Sequence, residues 1–273
     1  MADPVLPRTH LYVPGDRPDR FDKAVAAGAD ALILDLEDAV APDGKQRALA
    51  AVTSWLDSRG DVSGPQLWVR VNRGALNEVE TLARYQALDG LCLPKVESAA
   101  EVEAVHAIAP GMRLAPLIES AVGVTRLSAI ASAPGVVWLH LGELDLAADL
   151  AVTVATGDEL DAVRAMVVVA SRAAGLAAPP APVSPELADL DRFAASTLRL
   201  HNLGFAGRAC IHPRQVEVVR RLSSAQAIDT AWARRVLAQA RTHNGAAFVF
   251  EGAMVDEAVV RRARNIVAGA ATP

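Results

Sequence analysis

The feature that most constrains this 273-residue chain is a repeat of short, apolar, β-branched runs alternating with amphipathic helical segments. HLYVPG (10–15), ALILDLED (31–38), LWVRV (67–71), GLCLPK (90–95), RLAPLIE (113–119) and VVWLHLG (136–142) read as strands. Helical patterns fall between them at 18–27, 45–58, about 76–87, 99–109 and 121–132, and a longer one follows at 158–174. Gly28 and Gly175 close the first and last of these, as a residue tolerant of the left-handed conformation does. ALILDLED is apolar until its C-terminal end, the pattern of a strand buried on both faces of a parallel sheet. The seventh run is the weakest: AAPPAPVSP (177–185) carries four prolines, which cannot donate to a ladder, so only a short strand around Ala181–Ser184 is expected. A helix at about 187–202 leads to GRACIHP (207–213) as the eighth strand. Eight successive β/α units predict an α/β protein closed into a (β/α)8 TIM barrel.

The remainder reads as a helix at 225–241, an extended stretch at 243–256 and a final helix at 257–269. The expected division is a catalytic barrel over 1–222 and a C-terminal helical extension over 223–273, too short for an independent domain. Such a tail needs a surface to lie on, its own barrel or a neighbour's. Composition fits a well-filled core: 52% hydrophobic and 22% charged residues exclude wholesale disorder. The net charge of −5, with both signs interspersed, argues against a nucleic-acid partner. Two cysteines cannot build a disulfide scaffold or a zinc ribbon, and Cys92 and Cys210, both in apolar runs, read as buried side chains. MADPVLPRTH lacks a signal-peptide core, and the apolar stretch around 165–183 is interrupted by Arg164, Arg172 and prolines. No membrane partner and a cytoplasmic location are therefore expected.

In a barrel of this kind the chemistry collects at the C-terminal ends of the strands. Charged and polar residues fall there: Asp16 and Arg17 after the first strand, Asp35, Glu37 and Asp38 at the second, Arg70 and Asn72 at the third, Lys95 at the fourth. Glu119, then Glu143 and Asp145, and finally His212 follow at the fifth, sixth and eighth. Glu119 and Asp145 can share a divalent cation whose other positions go to water and substrate, the usual way of holding Mg²⁺; pairing with a local Arg or Lys is the competing reading. Arg70 suits a bidentate grip on a substrate carboxylate, or a salt bridge to the LDLED carboxylates. Lys95 can form a Schiff base in principle, but beside a metal site an electrostatic role is preferred. His212 fits a structural and a site-lining role equally. No phosphate-binding glycine loop, zinc-ligand histidine spacing or nucleophile elbow occurs.

YVPGDRPDRFDKAVAAGADALILDLEDAVAPDGK, VRVN, LPKVES, PLIESA, LGELDLAADL, GFAGRACIHPRQV, AWARRVL and FEGAMVD run in family order along nearly the whole chain. In these segments the sequence resembles the citrate lyase β-subunit-like CoA ester lyases of the HpcH/HpaI aldolase family. The resemblance implies Glu119 and Asp145 as Mg²⁺ ligands (Mn²⁺ as an alternative ion) and Arg70 as the arginine that binds the substrate carboxylate. It implies Glu37 and Asp38 as carboxylates ordering metal-bound water. Asp256 matches a tail aspartate that reaches a neighbouring subunit's active site, which implies a homotrimer or hexamer with shared sites.

The implied reaction is reversible Claisen-type cleavage of a carboxylate-bearing 3-hydroxyacyl-CoA, of the malyl-, citramalyl- or citryl-thioester type, to a ketoacid and acetyl-CoA. CoA enters as part of the substrate. Asp256, Arg70 and Glu37 are the expected catalytic set, with Lys95 beside the substrate and Arg17, Lys23 and Lys45 as candidates for the CoA phosphates by position. The alternatives are a citrate lyase β-subunit working on an acyl-carrier-protein thioester, a class II aldolase on free hydroxy-ketoacids, and a non-catalytic acyl-CoA-binding homologue. Three positions depart from the family pattern: the proline-rich APPAPVSPELAD segment, Arg208 in place of a lysine, and Leu144 before Asp145. Glu143, one position earlier, is left as a carboxylate whose reach to the metal the sequence does not settle.

Overall fold

The computed structural model describes residues 7–59, 64–155, 157–225, 227–243 and 246–270. Seven parallel strands carry the architecture: β1 (Thr9–Pro14), β2 (Ala31–Asp35), β3 (Gln66–Arg70), β4 (Gly90–Leu93), β5 (Arg113–Ile118), β6 (His140–Leu141) and β7 (Arg208–Cys210). They lie in the order β6-β5-β4-β3-β2-β1-β7, so sequence neighbours are sheet neighbours and β7 returns to the far edge of β1. Helices cover the outside: α1 (Phe21–Ala26), α2 (Lys45–Arg59), α3 (Leu76–Leu82), α4 (Ala99–Ile108), α5 (Ala121–Thr125), α6 (Leu127–Ala131), α7 (Glu143–Asp149), α8 (Asp161–Ala173), α9 (Leu190–Asn202) and α10 (Pro213–Ala225).

The gap between β6 and β7 is filled by the proline-rich segment. Ala177 donates to the Val137 carbonyl at 3.1 Å, and Ala181 makes a single parallel bridge to Arg208. Ala209 in turn donates to the Ala181 carbonyl at 2.8 Å. These bonds close the ring into a (β/α)8 barrel. The expected strand at 181–184 is reduced to that one bridge, because Pro179, Pro180 and Pro182 have no N–H to offer a ladder.

Register sets which side chains enter the barrel. Tyr12 pairs with Ile33, Ile33 with Trp68, Arg70 with Cys92, and Cys92 with Ala115, so alternate residues of adjacent strands share the inner face. Ala31, Ile33, Trp68, Cys92, Ala115, Leu117 and Trp138 form the packed centre. Trp68 needs the glycine on the next strand: a Cβ at Gly90 would lie 2.2 Å from its ring. At one end, the His10 ring packs edge-on against Trp138 and His140, and Trp138 Nε1 donates to His140 Nε2 at 3.0 Å.

The chain divides into two compact units, one over Pro7–Val219 and one from Arg220 onward. The second contains α11 (Ala227–Thr242), a hairpin of β8 (Phe248–Phe250) and β9 (Ala253–Val255), and α12 (Glu257–Ala270). It has its own apolar cluster of Ala233, Val236, Phe248, Val255, Val260 and Ala263. The stretch read from sequence as extended with turns contains an antiparallel hairpin over β8 and β9, pairing Val249 with Met254. Among the described residues no helix is long and apolar enough to cross a membrane.

Candidate active site

The strand ends place a layered set of charges over the barrel centre. Asp35, the last residue of β2, pairs in register with Arg70, the last of β3, and the two meet fork to fork: Nε to Oδ1 at 2.7 Å and Nη2 to Oδ2 at 2.5 Å. Arg70 Nη1 reaches Glu37 at 3.2 Å, and the guanidinium lies 5.3 Å from the Tyr12 ring centre. Burial disfavours the Arg70 charge, and the Asp35 carboxylate more than offsets it, holding the group above its ordinary value. The salt bridge to the LDLED carboxylates is therefore present. Two guanidinium N–H groups, on Nε and Nη2, are given to Asp35, while Nη1 faces Glu37 as an ion pair.

Glu37 and Asp38 are drawn together by Lys95, whose ammonium lies 2.5 Å from Glu37 and 3.1 Å from Asp38. Burial disfavours that charge, but the two carboxylates raise it above the ordinary lysine value, so Lys95 is a cation and no Schiff-base nucleophile. Its backbone has a second role that the sequence did not signal. Lys95 sits at φ 52°, in the left-handed region unfavourable to side-chain-bearing residues, and its N–H donates to Glu119 Oε2 at 2.8 Å.

Glu119 follows β5 and is 4% exposed. Its only hydrogen bond among the described residues is that N–H; no lysine, arginine or histidine pairs with it. Burial, with the nearby Asp145 and Glu37 charges adding to it, pushes its carboxyl up to about 7 against the Lys95 N–H and Arg70. Gly142 makes room for it, since a Cβ there would stand 2.3 Å from Glu119 Oε1. Asp145 lies in the first turn of α7, a helix the sequence did not reveal, and its carboxylate has no bonded partner among the described residues. Among the described residues neither carboxylate is paired with a lysine or arginine. A buried, uncompensated carboxylate beside a second free one is the donor set of a hard divalent cation. Among the described residues no cluster of three or more His, Cys, Asp or Glu side chains stands at metal-binding spacing, so such an ion would rest on these two and keep positions for water or substrate.

The other expected residues are placed as follows. Both oxygens of Glu143 are held by Arg164, at 2.5 and 2.7 Å, so this carboxylate is not available as a ligand. Exposed Arg17 pairs with Asp19 at 3.0 Å, and Lys23 is exposed on α1. Lys45 spends its ammonium on the carbonyls of Leu36, at 2.8 Å, and Glu37, bracing the LDLED turn instead of facing outward. His212 accepts from the Arg214 N–H at 3.1 Å through Nδ1, a structural role at the start of α10. In the C-terminal unit, Asp256 caps α12, accepting from the Val259 N–H at 3.0 Å through Oδ1. Asn72, noted at the third strand end, bonds through its N–H (2.8 Å) and Nδ2 (2.7 Å) to Glu78, which the sequence did not single out, and the two fix the turn after Arg70. The only signal for Glu78 was an acidic residue in an otherwise amphipathic helix.

A closed (β/α)8 barrel with an arginine-anchored, carboxylate-rich mouth at the strand C-termini has the build of a TIM-barrel enzyme. The chain belongs to the HpcH/HpaI aldolase/citrate lyase family, which it matches over residues 8–213. It is 38% identical to a citrate lyase subunit beta-like protein of Mycobacterium tuberculosis, over 96% of each chain. It is 31% identical to an L-malyl-CoA/beta-methylmalyl-CoA lyase of Cereibacter sphaeroides, covering 97% of this chain and 95% of that one. Among solved structures it resembles the CitE protein of M. tuberculosis in complex with magnesium, acetoacetate and coenzyme A. The TM-score is 0.81 at 34% identity, over 97% of this chain and 98% of that one.

Proposed function

We propose that this protein is a Mg²⁺-dependent carbon–carbon lyase acting on a carboxylate-bearing 3-hydroxyacyl-CoA and releasing a ketoacid and acetyl-CoA or a related acyl-CoA. The observation that carries the reading is Glu119: a buried carboxylate that, among the described residues, has no ion-pair partner, near Asp145, which has none there either. These two would hold the ion, which when bound supplies a Lewis acid for the substrate's hydroxyl and developing carbonyl oxygen. The CitE structure with magnesium, acetoacetate and coenzyme A, and the malyl-CoA lyase relatives, support the class of substrate.

The chain's own groups divide the remaining work. Arg70, already oriented by Asp35 and Glu37, would offer its remaining guanidinium N–H groups to a substrate carboxylate, so its contribution is positional. Lys95 balances Glu37 and Asp38, which are left to order water at the mouth. Cleavage would pass the hydroxyl proton to water ordered by Glu37 and Asp38, break the bond between the hydroxyl-bearing carbon and the carbon α to the thioester, and leave that bond's electron pair as a thioester enolate. That enolate carbon takes up a proton to become the acyl-CoA, and Asp256 is the proposed acid, donated by a neighbouring subunit of a homotrimer or hexamer. The segment 223–273 then serves as a lid on that neighbour. Arg17 and Lys23 remain the rim candidates for the CoA phosphates, whereas Lys45 would have to leave two carbonyls to reach one.

The test is a lyase screen over malyl-, citramalyl-, 3-hydroxy-3-methylglutaryl- and citryl-CoA with Mg²⁺ and with a chelator. Cleavage of at least one thioester is expected, lost on chelation and in Glu119→Ala. Full activity of Glu119→Ala, or activity indifferent to chelation, would sink the metal reading. Turnover of acyl-carrier-protein thioesters alone would replace the CoA ester by the β-subunit activity.

A further inference from the structure

Helix α7, only seven residues long, is held at both ends. In its first turn, Glu143 is gripped through both oxygens by Arg164 of α8, a guanidinium whose side chain is 6% exposed. Arg164 Nη1 also donates to the Gly157 carbonyl and to Asp161 at 2.8 Å. Arg199 of α9 joins the same group, binding Asp161, Asp158 at 2.7 Å and the Gly157 carbonyl at 3.3 Å. At the other end of α7, Asp149 accepts from the Ala121 N–H at 2.7 Å, two residues beyond Glu119. Between these clamps stands Asp145, whose carboxylate has no bonded partner among the described residues. A buried ion pair adds little net stability over an apolar pair of the same shape, so stability alone gives no reason for this one. Orientation does.

We infer that Arg164 is a positioning residue for the metal site: by holding Glu143 it fixes the first turn of α7, aims Asp145 towards Glu119 and limits the site to two carboxylate ligands. This inference rests on the Mg²⁺ reading given above. Outer groups that orient ligands typically contribute about 10–100-fold to metal affinity.

The test is Mg²⁺ binding without substrate, followed by calorimetry and by the Mg²⁺-induced shift in Tm. Glu143→Leu combined with Arg164→Met replaces the pair by an apolar one; Arg164→Lys keeps the charge but not the fork. The double variant is expected to fold cooperatively and bind Mg²⁺ at least ~10-fold more weakly, with Arg164→Lys in between. A folded double variant with affinity within about twofold of wild type would overturn the inference, making the pair merely structural. If the double variant does not fold, Arg164→Lys decides: unchanged Mg²⁺ affinity there overturns the inference and weakened affinity supports it. Wild type that fails to bind Mg²⁺, or Glu119→Gln that binds as wild type does, removes the metal reading itself.

Discussion

Glu119 owes its character to neighbours beyond two other strands: the Lys95 N–H after β4, and the bare backbone of Gly142 and the Asp145 charge after β6. Gly142→Ala tests this arrangement directly, because the new Cβ would collide with the Glu119 carboxylate. We expect Mg²⁺ affinity to fall at least ~10-fold while Tm changes little, measured by calorimetry and thermal melts. A large drop in Tm with unchanged affinity would place the strain elsewhere. Arg70→Lys keeps a cation but cannot serve Asp35, Glu37 and a substrate carboxylate together. Its kcat/KM should fall by about 100-fold, the cost of a misplaced substrate, with CD spectra unchanged. Glu119, Asp145 and Arg70 were legible in the sequence because charge at the end of an apolar strand is conspicuous. The contribution of Lys95 was legible only by half: a left-handed φ at a lysine leaves no mark in the sequence.

At the scale of elements, β-branched apolar runs located six strands and the eighth within a few residues, since burial on both faces demands that composition. Several elements differed, for different reasons. The proline-rich seventh run contributes one bridge and a few hydrogen bonds to the ring, so barrel closure there depends on Ala177 and Ala181. Helix α7, by contrast, has seven residues, ELDLAAD, too few for a helical period to show against the preceding strand. The pattern at 121–132 also splits, into α5 and α6 at Arg126, whose φ of −113° breaks the helical geometry. Strand packing gives its own prediction. Gly90→Ala drives a methyl against Trp68 and the Arg113 carbonyl, and should destabilise the protein by ~1–3 kcal/mol in urea unfolding. A change below about 0.5 kcal/mol would mean that the barrel centre has room to relax.

For the whole molecule, the buried histidines make stability depend on pH. Burial lowers the His10 imidazole to about 4, against its bond to the Pro7 carbonyl, and pushes His140 well below its ordinary value. Above pH 6.5 His10 is neutral in both folded and unfolded chains. Below it the unfolded chain binds a proton that the folded protein refuses until about pH 4, so stability falls over that window. Between pH 6.5 and 5 the loss from His10 amounts to about 2 kcal/mol, and His10→Asn should flatten the urea-midpoint profile by that much. Parallel profiles for variant and wild type would show that His10 carries none of it. The proposed sharing of sites predicts that inactive Asp256→Ala and inactive Glu119→Ala chains, mixed and exchanged, regain part of the turnover. No recovery in demonstrated hetero-oligomers would place Asp256 outside the reaction. The sequence alone determined the barrel and the charged strand ends, because period and burial are properties of neighbouring residues along the chain. Only the tertiary structure decided which carboxylates are paired: Asp35 meets Arg70 and Glu143 meets Arg164, while among the described residues Glu119 and Asp145 form no ion pair. Pairing depends on distance in space, and residues 21 or 35 positions apart are brought to 2.5 Å only by the fold.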